Sequence, residues 1–438
     1  MEIKLYPMGG DMTAAIQKAI DDCFLAGGGK ITLAEGIYPV GGLRLRSGCT
    51  LYLCSGAVLK GSRVPADYAI LERDTLEPIP ASYRTDALWG PARTRKTHDH
   101  ILKVGSSWNN AMIRILDATD VAVIGEPGSV IDGSNCYDET GEEHFRGPHG
   151  ISCHFCSRLT FGGYTIRNTG NWAHLCFASR DISFSDLTIE GGHDGVHVFS
   201  CDHVTIRDCR MHTGDDCVAG FDNIDVTVQR CELNTACSAF RFGGTDVLIE
   251  DCHMYGPAKY FFRASLSLED KISGNPAPTG GRNTMLAMFT YYADFTLNVR
   301  HAPRNIRMRN CTLENAMRFV LYDFSGAQVW QMGKPLEEIT FENVTAKNVD
   351  MPMDLYGDAQ KKHTVSLKNC KIAFTGEVPC AIRAAHFERL ALDTVDFINV
   401  NGPLVRSYGD SGEIAAKGVT GVNGLLTETD EPYLSKSI

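Results

Sequence analysis

The sequence predicts an all-β chain wound into a parallel β-helix, a solenoid of about 22 residues per coil closed at its N-terminal end by a helix. Three observations predict it. Short segments that alternate apolar and polar residues recur at a nearly fixed spacing. Gly, Asn and Asp separate them. One amphipathic helical stretch precedes them all. The clearest copies are "ISFSDLTIE" from Ile182, "VTIRDCRMH" from Val204, "VTVQRCELN" from Val226 and "VLIEDCHMY" from Val247, whose starts are 22, 22 and 21 residues apart. Strand-like segments at such a period stack into coils, because no single copy can bury its own apolar face.

The helix comes first. Asp11 is a suitable N-cap for "MTAAIQKAIDDCF", whose apolar residues recur at helical spacing, and "AGGGK" ends it, so a helix is expected over residues 11–26. Such a helix covers the open end of a solenoid, where unpaired strand edges would otherwise recruit another chain. Earlier copies of the repeat start at Val121 and Leu159, and later ones at Ile306, Ile339, Val365 and Leu390. Two segments break the period, residues 61–101 and 256–303, and both are expected to leave the solenoid as loops that wall a groove. Residues 1–438 thus read as one β-helix domain, with a frayed last coil and tail over the final 30 or so.

Composition narrows the function. Of 438 residues, 43% are hydrophobic, enough for a long core, and the formal net charge is −11. That balance argues against nucleic acid and against an anionic membrane as partners. No run of about 18 apolar residues is present, so no membrane span is expected. The opening "MEIKLYPMGGDMTAAIQKAI" has no apolar signal region, and the expected location is cytoplasmic. The 16 cysteines are then expected to be reduced core residues. Cys209, Cys231 and Cys252 fall on one inward ladder with Leu187, and Cys311 and Cys370 repeat the local pattern. Cys153 and Cys156 form a CxxC without a second pair, so neither a metal nor a cofactor is expected.

The chemistry-bearing stretch is "TGDDCVAG", Thr213 to Gly220. Adjacent carboxylates read either as a surface turn or as part of a catalytic site. Subtracting one coil from Asp216 gives Asp194, so the period gathers Asp194, Asp215 and Asp216 into one patch. Repulsion among them is expected to raise at least one pKa and so provide an acid beside a base, the requirement for cleaving a glycosidic bond. The same arithmetic puts Asn171 about one coil below Asp194 and Ser238 one coil above Asp216. Trp172 is either a sugar-stacking platform or a core aromatic.

"GSVIDGS", "NTGNWAHLCFASRDISFSDLTIEG" and "HDGVHVFSCDHVTIRDCRMHTGDDCVA" resemble, in order, the motifs of glycoside hydrolase family 28, the polygalacturonase-like enzymes of the pectin-lyase-type fold. The resemblance implies a right-handed β-helix and an inverting hydrolase. Asp215 would protonate the leaving oxygen, and Asp194 and Asp216 would activate water. The substrate partner would be a plant- or microbe-derived oligosaccharide, galacturonide-like or related. The family's NTD motif appears as Gly192-His193-Asp194, its GHG histidine falls near Cys237, and its RIK motif has no clear copy. His193 or His197 would compensate for the histidine, or face solvent. Arg241, Arg263 and, more weakly, Lys271 would grip a substrate carboxylate, or hold structural salt bridges. One of Tyr291 and Tyr292 would line the groove. Two further readings remain: a lyase or epimerase on the same scaffold, with an Arg or Lys base and calcium, and a non-catalytic carbohydrate-binding β-helix. A flat flank of such a solenoid also suits an oligomer.

Overall fold

A computed structural model describes residues 1–68, 110–293, 300–324 and 334–429. The repeat segments form three parallel sheets that wind in register. Along one sheet Leu159 pairs with Ile182, Val204, Val226, Val247 and Ile306 in succession. Along the next, Ile166 is followed by Ile189, Met211, Leu233 and Met254. The third carries Ile151, His174, Val196, Val218, Phe240 and Phe289. Each ladder points inward and builds one continuous core. In-register stacking explains the strict period: a one-residue slip would turn every apolar side chain outward.

The polar punctuation has a conformational cause. Asp186, Asp208, Arg230, Asp251, Asn310, Asn343 and Asn369 all sit at one corner of the coil with φ between 51° and 56°. Asn and Asp tolerate this left-handed geometry better than other side chains that carry a Cβ. The residue after each corner points inward, which places Leu187, Cys209, Cys231, Cys252 and Cys311 one above another, all buried. Sulfur atoms meet along this ladder from Cys209 to Cys231, Cys252 and Cys311. The 16 cysteines are free thiols and all but Cys54 are buried, Cys153 and Cys156 included. All but Cys54, Cys237 and Cys380 belong to the core cluster, as expected.

The helix occupies Thr13–Leu25 and buries Ile16, Ala19, Ile20 and Cys23 against the first coil. It starts later than the sequence suggests, with Met12 at the cap position. Asp11 still accepts from the Thr13 amide at 3.0 Å and from its hydroxyl at 2.5 Å. The excursion expected over 256–303 ends sooner. Met285–Tyr291 is a solenoid strand between Ser238–Glu250 and Thr312–Asp323, so the departure from the coil runs over 256–284. Its repeat signal was hidden because the neighbouring copies lie far away in sequence. Inside the excursion, Leu268–Ser273 forms a short helix capped by Ser267, whose hydroxyl accepts from the Asp270 amide. Of the excursion expected at 61–101, all beyond residue 68 lies outside the described residues. At the other end Glu413–Thr420 and Leu426–Glu428 continue the coils, so only residues 430–438 of the expected tail lie outside the described chain.

Candidate active site

The site grows on the turns that lead into the third sheet. Backbone pairing fixes the stacking: the Ala173 amide donates to Asp194 O, Gly195 to Asp216 O and Cys217 to Ser238 O. Trp172, Asp194, Asp216 and Ser238 therefore form one column. Asn171, His193, Asp215 and Cys237 form the column beside it. The coil arithmetic was correct for Asp194, Asp216 and Ser238, but Asn171 lies below His193, and Trp172 is the residue below Asp194.

All three aspartates are buried. The Asp194 carboxyl is held well above the usual carboxylate range, by burial first and by the charge of Asp215 second. Asp216 is pushed up to about 8 by the same causes in the same order. Repulsion acts as the sequence suggested, but loss of water is the larger cause. Each carboxyl has its own partner. His197 Nδ1 lies 2.7 Å from Asp194 Oδ2. The Ser238 amide donates to Asp216 Oδ1 at 2.8 Å, and Arg241 faces Asp216 Oδ2 at 3.5 Å. Arg146 donates to Asp215 Oδ2 at 3.3 Å.

The remaining sequence candidates divide. His193 and His197 are both inside the site rather than facing solvent. His193 packs flat on Phe145 and accepts from Arg146 through Nδ1 at 2.9 Å. Burial and the charge of Arg146 drive its pKa well below the ordinary value, so it is a neutral imidazole. Trp172 is buried, and its indole is covered by the His197 ring at 3.8 Å. It orients His197, and its stacked face is not a sugar platform. Arg241 lies over the Tyr292 ring at 4.3 Å, which places Tyr292 beside the aspartates. Tyr291 points the other way. It is fully buried, packs on Tyr322 and donates to the Lys334 carbonyl, as strand alternation requires of one of two neighbours.

Arg263 takes a structural role, the second of its two expected readings, through carbonyls in place of a salt bridge. Its guanidinium donates to the carbonyls of Asn135, Cys136 and Thr169 and to Asn135 Oδ1, and the residue is 3% exposed. It braces the excursion against the coils, with both Nη atoms engaged by the neighbouring backbone. Lys271 donates to Ala264 O and lies 4.7 Å from the Phe145 ring, at the margin of the site. The Ser238 hydroxyl is engaged with Thr290, so its contribution to the site is its backbone amide.

Three residues escaped the sequence reading. Glu142 and Arg146 come from the insertion between Val130–Asp132 and His149–His154, outside any repeat. Burial pushes Glu142 up to about 8. Arg282, from the 256–284 excursion, donates to Ala236 O and to Cys237 Sγ, and so stands where the resemblance expects a histidine. Asp215, Asp216 and Cys237 bring one donor atom each within 4.8 Å of one another, the tightest set of metal-type ligands among the described residues. Burial raises the thiol well above its ordinary value and Arg282 already occupies the sulfur, so the set resembles a hydrogen-bonded corner more than a cation site. A cavity of about 460 Å³ is lined by Glu190, Gly192, His212, Lys259, Tyr260 and Arg263. The aspartates do not line it.

Raised carboxyl pKa values carry a stability consequence. A group whose pKa is higher in the folded chain contributes full stability below its unfolded value, 3.8 for Asp216, and loses it as pH rises through the folded value. Thermal melting is therefore expected to fall between pH 5 and pH 8. Asp216→Asn should flatten that fall. An equally steep fall in the variant would contradict the buried Asp216 carboxyl as its cause.

Residues 54–238 match the family model of glycosyl hydrolases family 28. The match holds all three aspartates and ends one residue beyond Cys237, where the expected histidine is missing. A polygalacturonase of Saccharomyces cerevisiae is 26% identical over 189 residues, 41% of this chain and 48% of that one. A probable polygalacturonase of Vitis vinifera is 25% identical over 219 residues, 47% of this chain and 40% of that one. The aligned part of the chain thus spans less than half the length of either. The solved polygalacturonase of Erwinia carotovora superposes with a TM-score of 0.59 at 17% identity, covering 84% of this chain and 92% of that one. The family-28 resemblance is thus borne out over residues 54–238, and the right-handed parallel β-helix over most of the chain.

Proposed function

We propose that this chain is a polygalacturonase-like glycoside hydrolase that cleaves a galacturonide or related oligosaccharide with inversion, using Asp194, Asp215 and Asp216. The observation that carries the reading is the stacking of three buried carboxyls, two of them with raised pKa, on adjacent coils within the stretch that matches family 28. Such a cluster keeps a proton at neutral pH beside a carboxylate, and its titration belongs to the group rather than to one member. Asp215 is 8% exposed against 3% for Asp194 and 2% for Asp216. It is the member open to a leaving oxygen, so the proton that the cluster shares is delivered through it. Asp194, steered by His197, and Asp216, steered by the Ser238 amide, activate the water on the other side.

The substrate follows from the cations. Arg263 is consumed by backbone carbonyls and Arg241 faces Asp216, so the strong carboxylate grip implied by the resemblance is reduced. Arg282, half-buried and already donating to Ala236 O and Cys237 Sγ, is the further cation beside the aspartates. This suits a short or sparsely charged saccharide better than a long polyanion. The test is incubation with polygalacturonate, oligogalacturonides and a panel of neutral plant oligosaccharides. New reducing ends without ultraviolet absorbance are expected. Calcium-dependent absorbance of an unsaturated uronate would replace the hydrolase with a lyase.

A further inference from the structure

Arg146 is 5% exposed and reaches across three successive coils. Its Nη1 donates to Asn171 Oδ1 at 3.2 Å and to His193 Nδ1 at 2.9 Å, and its Nη2 donates to Asp215 Oδ2 at 3.3 Å. Asn171, His193 and Asp215 are 22 residues apart and occupy the same rung of consecutive coils. One rigid planar group thus touches the same column three times. On its other edge Nε lies 3.0 Å from Glu143 and 3.4 Å from Glu142.

We propose that Arg146 is the positioning residue of this site: anchored by Asn171 and His193, it holds Asp215 Oδ2 in place and meets the negative charge that Asp215 acquires as its proton leaves. The inference rests on the acid role proposed for Asp215. Guanidinium suits the task because its donors form a fixed fork. His193 supports it, since arginine has only donors and Nδ1 must accept, which leaves the imidazole neutral and no rival for Asp215. The charged groups around Arg146 are Glu142, Glu143, Asp215 and Asp194, together with the like charge of Arg263. Asn171 completes the fixing by accepting from Nη1 and donating to Glu142 at 3.5 Å.

The experiment compares Arg146→Gln, Arg146→Lys and the double variant Arg146→Gln/Asp215→Asn in the full chain. On whichever saccharide the wild type cleaves, Arg146→Gln should lower kcat about 10²-fold with KM nearly unchanged, the scale for losing one donor to a developing charge. The alkaline side of its pH profile should move to higher pH, and Arg146→Lys should recover part of both effects. A second readout needs no turnover. At pH 8 Arg146→Gln should melt lower, because the carboxyls lose their counter-charge, and adding Asp215→Asn should restore most of the loss. Wild-type kcat in Arg146→Gln, or a double variant that melts no higher than the single one, would overturn the proposal. A wild type that cleaves no saccharide would strike the functional reading alone, and the melting cycle would then decide the positioning role.

Discussion

Asp215→Asn is expected to abolish turnover, with kcat reduced about 10³-fold or more, while the fold stays intact. Removing a positioned proton donor costs about 10²–10⁴-fold in general acid catalysis. The substitution keeps the shape of the side chain and the Asp216 amide's bond to Oδ1 at 3.1 Å. It also removes the second-largest cause of the raised pKa at both Asp194 and Asp216. The fall in melting temperature toward alkaline pH should therefore become shallower. Kinetics on the cleaved saccharide, with circular dichroism on the same preparation, check both statements. An inactive variant that is also unfolded would remove the support this result gives to a catalytic role.

Gly214→Ala carries the next largest effect, and it acts without changing any polar group. A Cβ at Gly214 would lie 2.0 Å from the Phe261 carbonyl oxygen and 2.8 Å from Gly192 Cα. Both obstacles are backbone, so the excursion must move away from the turn that carries Asp215 and Asp216. Gly192 is similarly tight, with a Cβ there meeting Arg263 Cβ at 2.8 Å. Overpacking of this kind costs about 1–3 kcal/mol. A displacement of about 1 Å at a catalytic group costs about 10²-fold in rate. Gly214→Ala should thus lose stability in thermal melting and about 10²-fold in kcat. A variant with wild-type values in both would mean that the excursion does not brace the site.

The repeat made much of this legible from the sequence. A period of 22 with Asp and Asn at one corner encodes the coil, because only the in-register stack buries every inward ladder. It also brought Asp194 under Asp216, since the stacking vector is the period itself. What the period does not reach, the sequence did not show. Glu142, Arg146 and Arg282 enter from segments outside the repeat, and their place beside the aspartates depends on how those segments fold back. Arg263 shows the complementary limit: its residue type left a carboxylate grip and a structural role equally open, and burial turned its donors onto backbone carbonyls. Tyr291 and Tyr292 were separable in principle by alternation. Deciding which faces inward required recognising Met285–Tyr291 as a strand of the solenoid.

The site at "TGDDCVAG" is therefore a set of three carboxyls, each fixed by a different partner: His197 for Asp194, Arg146 for Asp215, and the Ser238 amide with Arg241 for Asp216. We propose that these carboxyls cleave a glycosidic bond by direct attack of water, in one displacement. Proton NMR of the first-formed product, recorded before mutarotation, tests it most directly. A single displacement requires a new reducing end whose anomeric configuration is opposite to that of the bond cleaved. Retention of that configuration would contradict it.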